Sequence, residues 1–259
     1  MTDTTNSTAL PATRPLTVAD MKSALLAGYA DFRRAPLHGL FFGAVFSIIG
    51  IIVSWMLVVH ASIYWVLPVA AGFPLIGPFA AIGLYEISRR LEAGEALHLS
   101  GILGAVWRES RFQLPSYAFV VLFIYLVWVY LAHLIFALSF GLQPIANVSS
   151  STAFLLTGPG ITMLIAGTLV GGGLATLLFA VSVVSVPMLL DRDIDVVSAM
   201  ITSVRLVLAN TEAMLVWGLI IAVSVALAML PLFLGMLIVF PLLGHTSWHV
   251  YRKGIEPAA

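Results

Sequence analysis

Cysteine is absent from this 259-residue chain, which excludes disulfide frameworks, thiolate metal sites and thiol catalysis. Charge is scarce as well. Only 9% of residues are Asp, Glu, Lys or Arg, against about a quarter in a soluble domain, while 61% are hydrophobic. Such a composition cannot clothe a water-facing surface, and a mean hydropathy of +1.06 places the chain in a bilayer. The formal net charge is zero, so nothing marks nucleic acid as a partner. No Walker motif, dinucleotide fingerprint, HExxH or positionally supported Ser-His-Asp set occurs. The expectation is a protein that is not an enzyme and carries no cofactor.

The gaps between charges carry the most information. Ala35–Tyr85, Phe112–Leu190 and Ala213–Tyr251 contain no Lys, Arg, Asp or Glu. Even the shortest, as one helix at 1.5 Å per residue, would reach about 60 Å, twice the hydrocarbon thickness. Each gap therefore reads as a helical hairpin. The turns fall at "VVHASIYW", with His60, Tyr64 and Trp65; at the polar "SFGLQPIANVSSSTAF"; and at Pro231 in "AMLPLFLG". Six spans follow, near 38–59, 65–88, 114–138, 158–187, 213–230 and 232–250. The fourth is long and contains "GTLVGGGLA", so a tilt, bend or re-entrant stretch is expected there. All 12 Lys and Arg then fall on one side, which places both termini in the cytoplasm.

A charged segment with helical periodicity precedes each hairpin. In "TVADMKSALLAGYADFRRAP", Val18, Met21, Leu25, Tyr29 and Phe32 recur at spacings of three and four, and Thr17 with Asp20 forms an N-terminal cap. Leu99, Ile102, Leu103 and Val106 repeat the pattern, as do Val197, Met200, Ile201, Val204 and Leu208. Helices of this kind lie in the headgroup plane or pack under a bundle. The fold expected is all-α and polytopic: six transmembrane helices in three repeats of amphipathic helix plus helical hairpin. The repeat units cover about 17–95, 96–192 and 193–253. Residues 1–16, polar and rich in Thr and Pro, read as a disordered cytoplasmic tail, and 17–259 as a single membrane domain. The motif "FPLIG" at Phe73–Gly77 returns as "FPLLG" at Phe240–Gly244, each followed by paired bases, Arg89 and Arg90 or Arg252 and Lys253.

The runs "GYADFRRAPLHGLFFGAVFSIIG", "FPLIGPFAAIGLYEISRRLEAGE" and "FPLLGHTSWHVYRK" resemble the DUF2189 family of bacterial integral membrane proteins. The resemblance implies a multi-pass protein of the bacterial cytoplasmic (inner) membrane and supplies no activity. Some members carry a label as cytochrome c oxidase subunit I, whose metal core needs a full set of intramembrane histidines. Of the six histidines here, His38 and His98 lie at or outside the inner boundary and His60 at the outer turn, which excludes that role.

His245 and His249 stand four residues apart in "GHTSWH", a spacing that can hold a metal if a third ligand joins them; interfacial anchoring beside Trp248 is the competing reading. Glu86 faces Arg89 and Arg90 at i+3 and i+4 and can be neutralised locally. Arg89, Arg90, Arg252 and Lys253 are candidate topology anchors or anionic-headgroup ligands. Pro74 and Pro241, with Gly77 and Gly244, lie near mid-membrane, where kinks at matching depth point to a cavity. Two functions stay open. One is a non-enzymatic accessory, assembly or partner-binding component whose partners are the lipid bilayer and other membrane subunits. The alternative is a small-solute or lipid transporter with its site at the Pro74 and Pro241 kinks.

Overall fold

The computed structural model describes residues 10–60, 80–112, 114–141 and 155–257. Among them the regular structure is helical, with one isolated antiparallel bridge between Thr13 and Ile255. Helix α1 (Val18–Arg34) opens with the expected capping box: the Thr17 hydroxyl accepts from the Asp20 amide while the Asp20 carboxylate accepts from the Thr17 amide at 2.9 Å. That bonding holds the Asp20 carboxyl below its usual pKa. One residue, Ala35, separates α1 from α2 (Pro36–His60), because Pro36 has no amide to continue the first helix and fits the first position of the second. A helix described from 80 to 93, α3, follows. The next are α4 (Leu99–Phe112), α5 (Leu114–Phe140), α6 (Gly158–Ser182) and α7 (Ser185–Asp191). The last are α8 (Val196–Ala209), α9 (Thr211–Met229) and α10 (Met236–Gly254).

Among the described residues, four stretches are long and apolar enough to cross a membrane: Pro36–Trp55, Pro115–Phe140, Gly158–Asp191 and Thr211–Met229. They coincide with the first, third, fourth and fifth expected spans. The second expected span lies mostly outside the described residues. The sixth corresponds to α10, whose histidines and terminal Arg252 and Lys253 dilute its hydropathy. The fourth span is broken, but at Val183–Val184 rather than at its glycine run, which stays helical. Pro231 sits in the turn between α9 and α10, as the sequence indicates. There Leu232 and Phe233 take φ of 53° and 66°, a left-handed conformation that costs bulky residues energy. Phe233 is held by packing onto Gly50 and by the Ser47 hydroxyl, which donates to its carbonyl at 3.0 Å.

Helix α10 is the hub. It packs most extensively on α1 and α2, and its Trp248, Val250 and Tyr251 are buried. Close approach depends on missing side chains. A Cβ on Gly28 of α1 would lie 2.6 Å from the Thr246 amide nitrogen, and one on Gly43 of α2 would lie 2.6 Å from the Leu237 carbonyl oxygen. Backbone contacts of this kind are the packing mode of membrane helices.

The three amphipathic helices are turned the other way from soluble ones. On α1 the buried positions are Met21, Ala24, Gly28 and Asp31, while Val18, Leu26 and Tyr29 are exposed. On α8 the packed face is Val196, Ala199, Thr202, Ser203 and Leu206, and Val197, Ile201 and Leu208 face outward. On α4, Ile102 and Ala105 are buried but Leu99, Leu103 and Trp107 are exposed. About half of the apolar stripe read from the sequence therefore points away from the protein, while Met21 and Ile102 are buried and the remainder is half-buried.

The tail differs from expectation too. Residues 10–16, assigned to a disordered segment, are strapped across the C-terminus of α10. The Arg14 amide donates to the Gly254 carbonyl at 2.8 Å, and the Glu256 amide to that of Ala12 at 3.0 Å. Asn210, between α8 and α9, closes the strap: its carboxamide accepts from the Leu16 amide at 2.6 Å and donates to the carbonyls of Arg14 and Leu206.

Candidate functional site

At the charged end of α3 and α10, side chains from α1, α3, α7 and α10 form one polar lattice. Glu86 is 2% exposed and accepts from Arg89 Nε at 2.8 Å and Arg90 Nε at 2.6 Å, the i+3 and i+4 pairing read from the spacing. Arg89 continues to Glu95 across the turn at Gly94. Glu92 takes the Trp248 indole N–H and Arg252, each at 3.1 Å. Asp191 accepts from the Tyr251 hydroxyl at 2.6 Å and faces Arg252 at 3.6 Å. Arg192 donates to the Tyr251 oxygen and to the Glu256 carbonyl. Lys253 reaches Asp20 at 3.5 Å. The four candidate headgroup ligands Arg89, Arg90, Arg252 and Lys253 thus all have carboxylate partners within the chain. Arg252 and Lys253 tie α10 to α3, α7 and α1, whereas Arg89 and Arg90 pair within α3 and its following turn.

The two candidate metal-ligating histidines point to different neighbours. His245 Nδ1 is 2.8 Å from the Ser88 hydroxyl of α3, and its Nε2 is buried with no partner among the described residues. His249 Nε2 is 2.7 Å from the buried Asp31 carboxylate of α1. Burial alone would raise the Asp31 pKa; the hydrogen bond and charge of His249 override it and leave the carboxyl lowered. Among the described residues no three His, Cys, Asp or Glu side chains come together as a metal site. The lattice can hold charge and transmit helix position. Its fully buried members have no open face for a substrate.

Pro74 and Gly77 lie outside the described residues. Pro241 is buried, and the space beside it is filled: Phe240 stacks on Phe46 at 4.0 Å, and Gly39 abuts the Pro241 ring. A Cβ on Gly244 would meet Leu84 at 2.5 Å. Around this kink the packing is tight. His133 lies on α5 with its Nδ1 2.7 Å from the Val129 carbonyl of its own helix.

An open cavity lies elsewhere. Between α5 and α6 runs an apolar groove of about 750 Å³, lined by Tyr125, Trp128, Gly167, Gly171, Gly172 and Leu178 among others. Trp128 closes on Gly171, where a Cβ would lie 2.9 Å from the indole. Gly167 and Gly172 have nothing within 4 Å of an added Cβ. The sequence pointed to this stretch as a bend or re-entrant segment; the structure keeps it helical, with Gly167, Gly172 and Gly173 open to an added Cβ.

Residues 66–191 match the DUF2189 family, a predicted integral membrane protein. The match takes in α3 to α7, hence both walls of the groove and the Glu86–Arg89–Arg90 group. The segments resembling the family at Gly28–Gly50 and Phe240–Lys253 lie beyond it. Neither curated proteins nor solved structures give a match.

Sequence reasoning missed Asp31, Ser88 and Asn210. Each is a polar residue buried among partners distant in sequence. A signal existed for Asp31, which stands seven residues after Ala24 and three after Gly28 on the narrow face of α1.

Proposed function

We propose that this DUF2189 protein is a non-enzymatic component of the bacterial inner membrane that binds another membrane polypeptide through the α5–α6 groove. In this reading the chain crosses the bilayer six times, in three units of amphipathic helix plus hairpin, with both termini cytoplasmic. The order short helix, long helix repeated at α1–α2, α4–α5 and α8–α9 supports the threefold organisation.

The groove carries the functional reading. A bilayer-spanning hairpin that keeps Gly167 and Gly172 open, beside the broad faces of Tyr125 and Trp128, suits an incoming helix, since small residues permit backbone approach in lipid. The walls are mostly aliphatic and aromatic, with few polar groups to fix a substrate. The transporter alternative gains no support from Pro241, which neighbouring side chains enclose.

A photo-crosslinking residue at Gly172 in the intact chain, expressed in cells, tests this reading. Covalent capture of a second membrane polypeptide is the expected outcome. Capture of lipid alone would refute the groove as a protein-binding surface.

A further inference from the structure

The paired bases at the ends of α3 and α10 are neutralised internally, which directs attention to the cations that are not. Arg14, Lys22, Arg33, Arg34 and Arg205 are exposed, with no carboxylate within 4.0 Å among the described residues. Three of them, Lys22, Arg33 and Arg205, stand on outward helix stripes. Lys22 and Arg33 lie on the outward stripe of α1 with Val18, Leu26 and Tyr29, the guanidinium of Arg33 standing 5.9 Å from the Tyr29 ring centre. Arg205 lies on the outward stripe of α8, four residues from Ile201 and three from Leu208.

We infer that α1 and α8 form an anionic-phospholipid binding surface, bedded in the headgroup layer of the same membrane that the spans cross. Three observations converge on that occupant. The outward stripes are apolar although each helix already buries an inward face, Met21, Ala24, Gly28 and Asp31 on α1 and Val196, Ala199, Thr202, Ser203 and Leu206 on α8. The outer side therefore does not have the polar surface of a helix with its back to water. Each helix joins a candidate span through a single residue, Ala35 or Asn210, so its stripe begins at the level where acyl chains meet headgroups. Exposed cations interleave with the apolar side chains, the composition of helices that lie in an anionic interface.

The acids of these segments are engaged elsewhere or stand off the stripes. Asp20 is held by Thr17 and Lys253, Asp31 is buried against His249, and Asp195 caps α8. Asp193 and Glu212 flank α8 outside its limits. Helix α4, with Leu99, Leu103 and Trp107 exposed, adds apolar area to the same kind of surface, but its Arg108 faces Glu109 at 3.3 Å.

The test uses the full chain in phosphatidylcholine vesicles, with spin-labelled phosphatidylglycerol or spin-labelled phosphatidylcholine as the probe. One Lys or Arg at an anionic surface favours association by roughly five-fold, so a preference of that order for phosphatidylglycerol is expected. Lys22→Gln, Arg33→Gln, Arg34→Gln and Arg205→Gln together should bring the ratio close to unity. A wild-type ratio of one, or a preference untouched by the four changes, overturns the inference. Because the chain has no cysteine, nitroxides at Leu26→Cys and Ile201→Cys can also report depth without the charge variant. Accessibility to oxygen at headgroup level supports the surface; accessibility equal to that of bulk water overturns it.

Discussion

Replacing Asp31 with alanine should loosen α1 from α10, and the structure gives the size of the effect. The carboxylate is 5% exposed and receives His249 Nε2 at 2.7 Å. A hydrogen bond involving a charged group contributes about 1.5–3 kcal/mol, and removing one partner of a fully buried ion pair costs about 3–5 kcal/mol. His249 retains 20% of its side-chain surface, so water can partly replace the lost carboxylate. The lower range therefore applies, about 2–3 kcal/mol, or roughly 4–12 °C for a chain of this size.

Thermal unfolding in mild detergent reads the change, with His249→Ala and the double variant completing a cycle. Coupling above about 1 kcal/mol is expected of a direct contact. Additive losses would refute the Asp31–His249 link. The pH dependence has a definite sign. Because folding lowers the Asp31 pKa, its contribution is present above the unfolded value of about 3.9 and is lost as pH falls through the folded one. The difference between wild type and Asp31→Asn should therefore hold above about pH 4 and shrink below it.

Three further outcomes follow from the packing and topology. Gly43→Ala places a methyl 2.6 Å from the Leu237 carbonyl oxygen, so it should destabilise the α2–α10 contact by about 1–3 kcal/mol in the same unfolding assay. Asn210→Ala removes two hydrogen bonds that join residues 14–16 to the α8–α9 junction, and a third to the Leu206 carbonyl. It should expose the N-terminal strap to added protease well before the helices are cleaved, whereas cleavage as slow as in wild type would deny Asn210 that role. A reporter fused at Ser150 should be active on the non-cytoplasmic side; a cytoplasmic signal would contradict six spans.

Much of the fold was legible because bilayer thickness and charge exclusion act on long stretches of sequence. The gaps between charged residues located α2, α5, α6 and α9, and Pro231 located the turn before α10. Local chemistry also read directly, as in the Thr17–Asp20 capping box and the Glu86 pairing with Arg89 and Arg90. Orientation was harder. Periodicity reveals that α1 has an apolar stripe but not which way it faces, because in a membrane protein the stripe can meet lipid while Ala24, Gly28 and Asp31 pack inward. The lattice was hidden for another reason. His249 and Asp31 are 218 positions apart, and no local spacing relates them. Arg252 looked like an anchor for headgroups because Glu92 and Asp191 meet it only through tertiary packing.

The central claim, a polypeptide partner seated in the α5–α6 groove, is tested most directly by gentle-detergent purification of the intact chain and its Gly167→Leu variant. A Cβ added at Gly167 meets nothing within 4 Å in its own fold, the rest of the leucine side chain entering the open groove, and leucine is a better helix former than glycine by about 0.8 kcal/mol, so the variant should fold as well as wild type. The account predicts that one membrane polypeptide co-purifies with the wild type and is lost from the variant at unchanged melting temperature. A wild-type protein that emerges alone and monomeric, or a partner retained by Gly167→Leu, would contradict it.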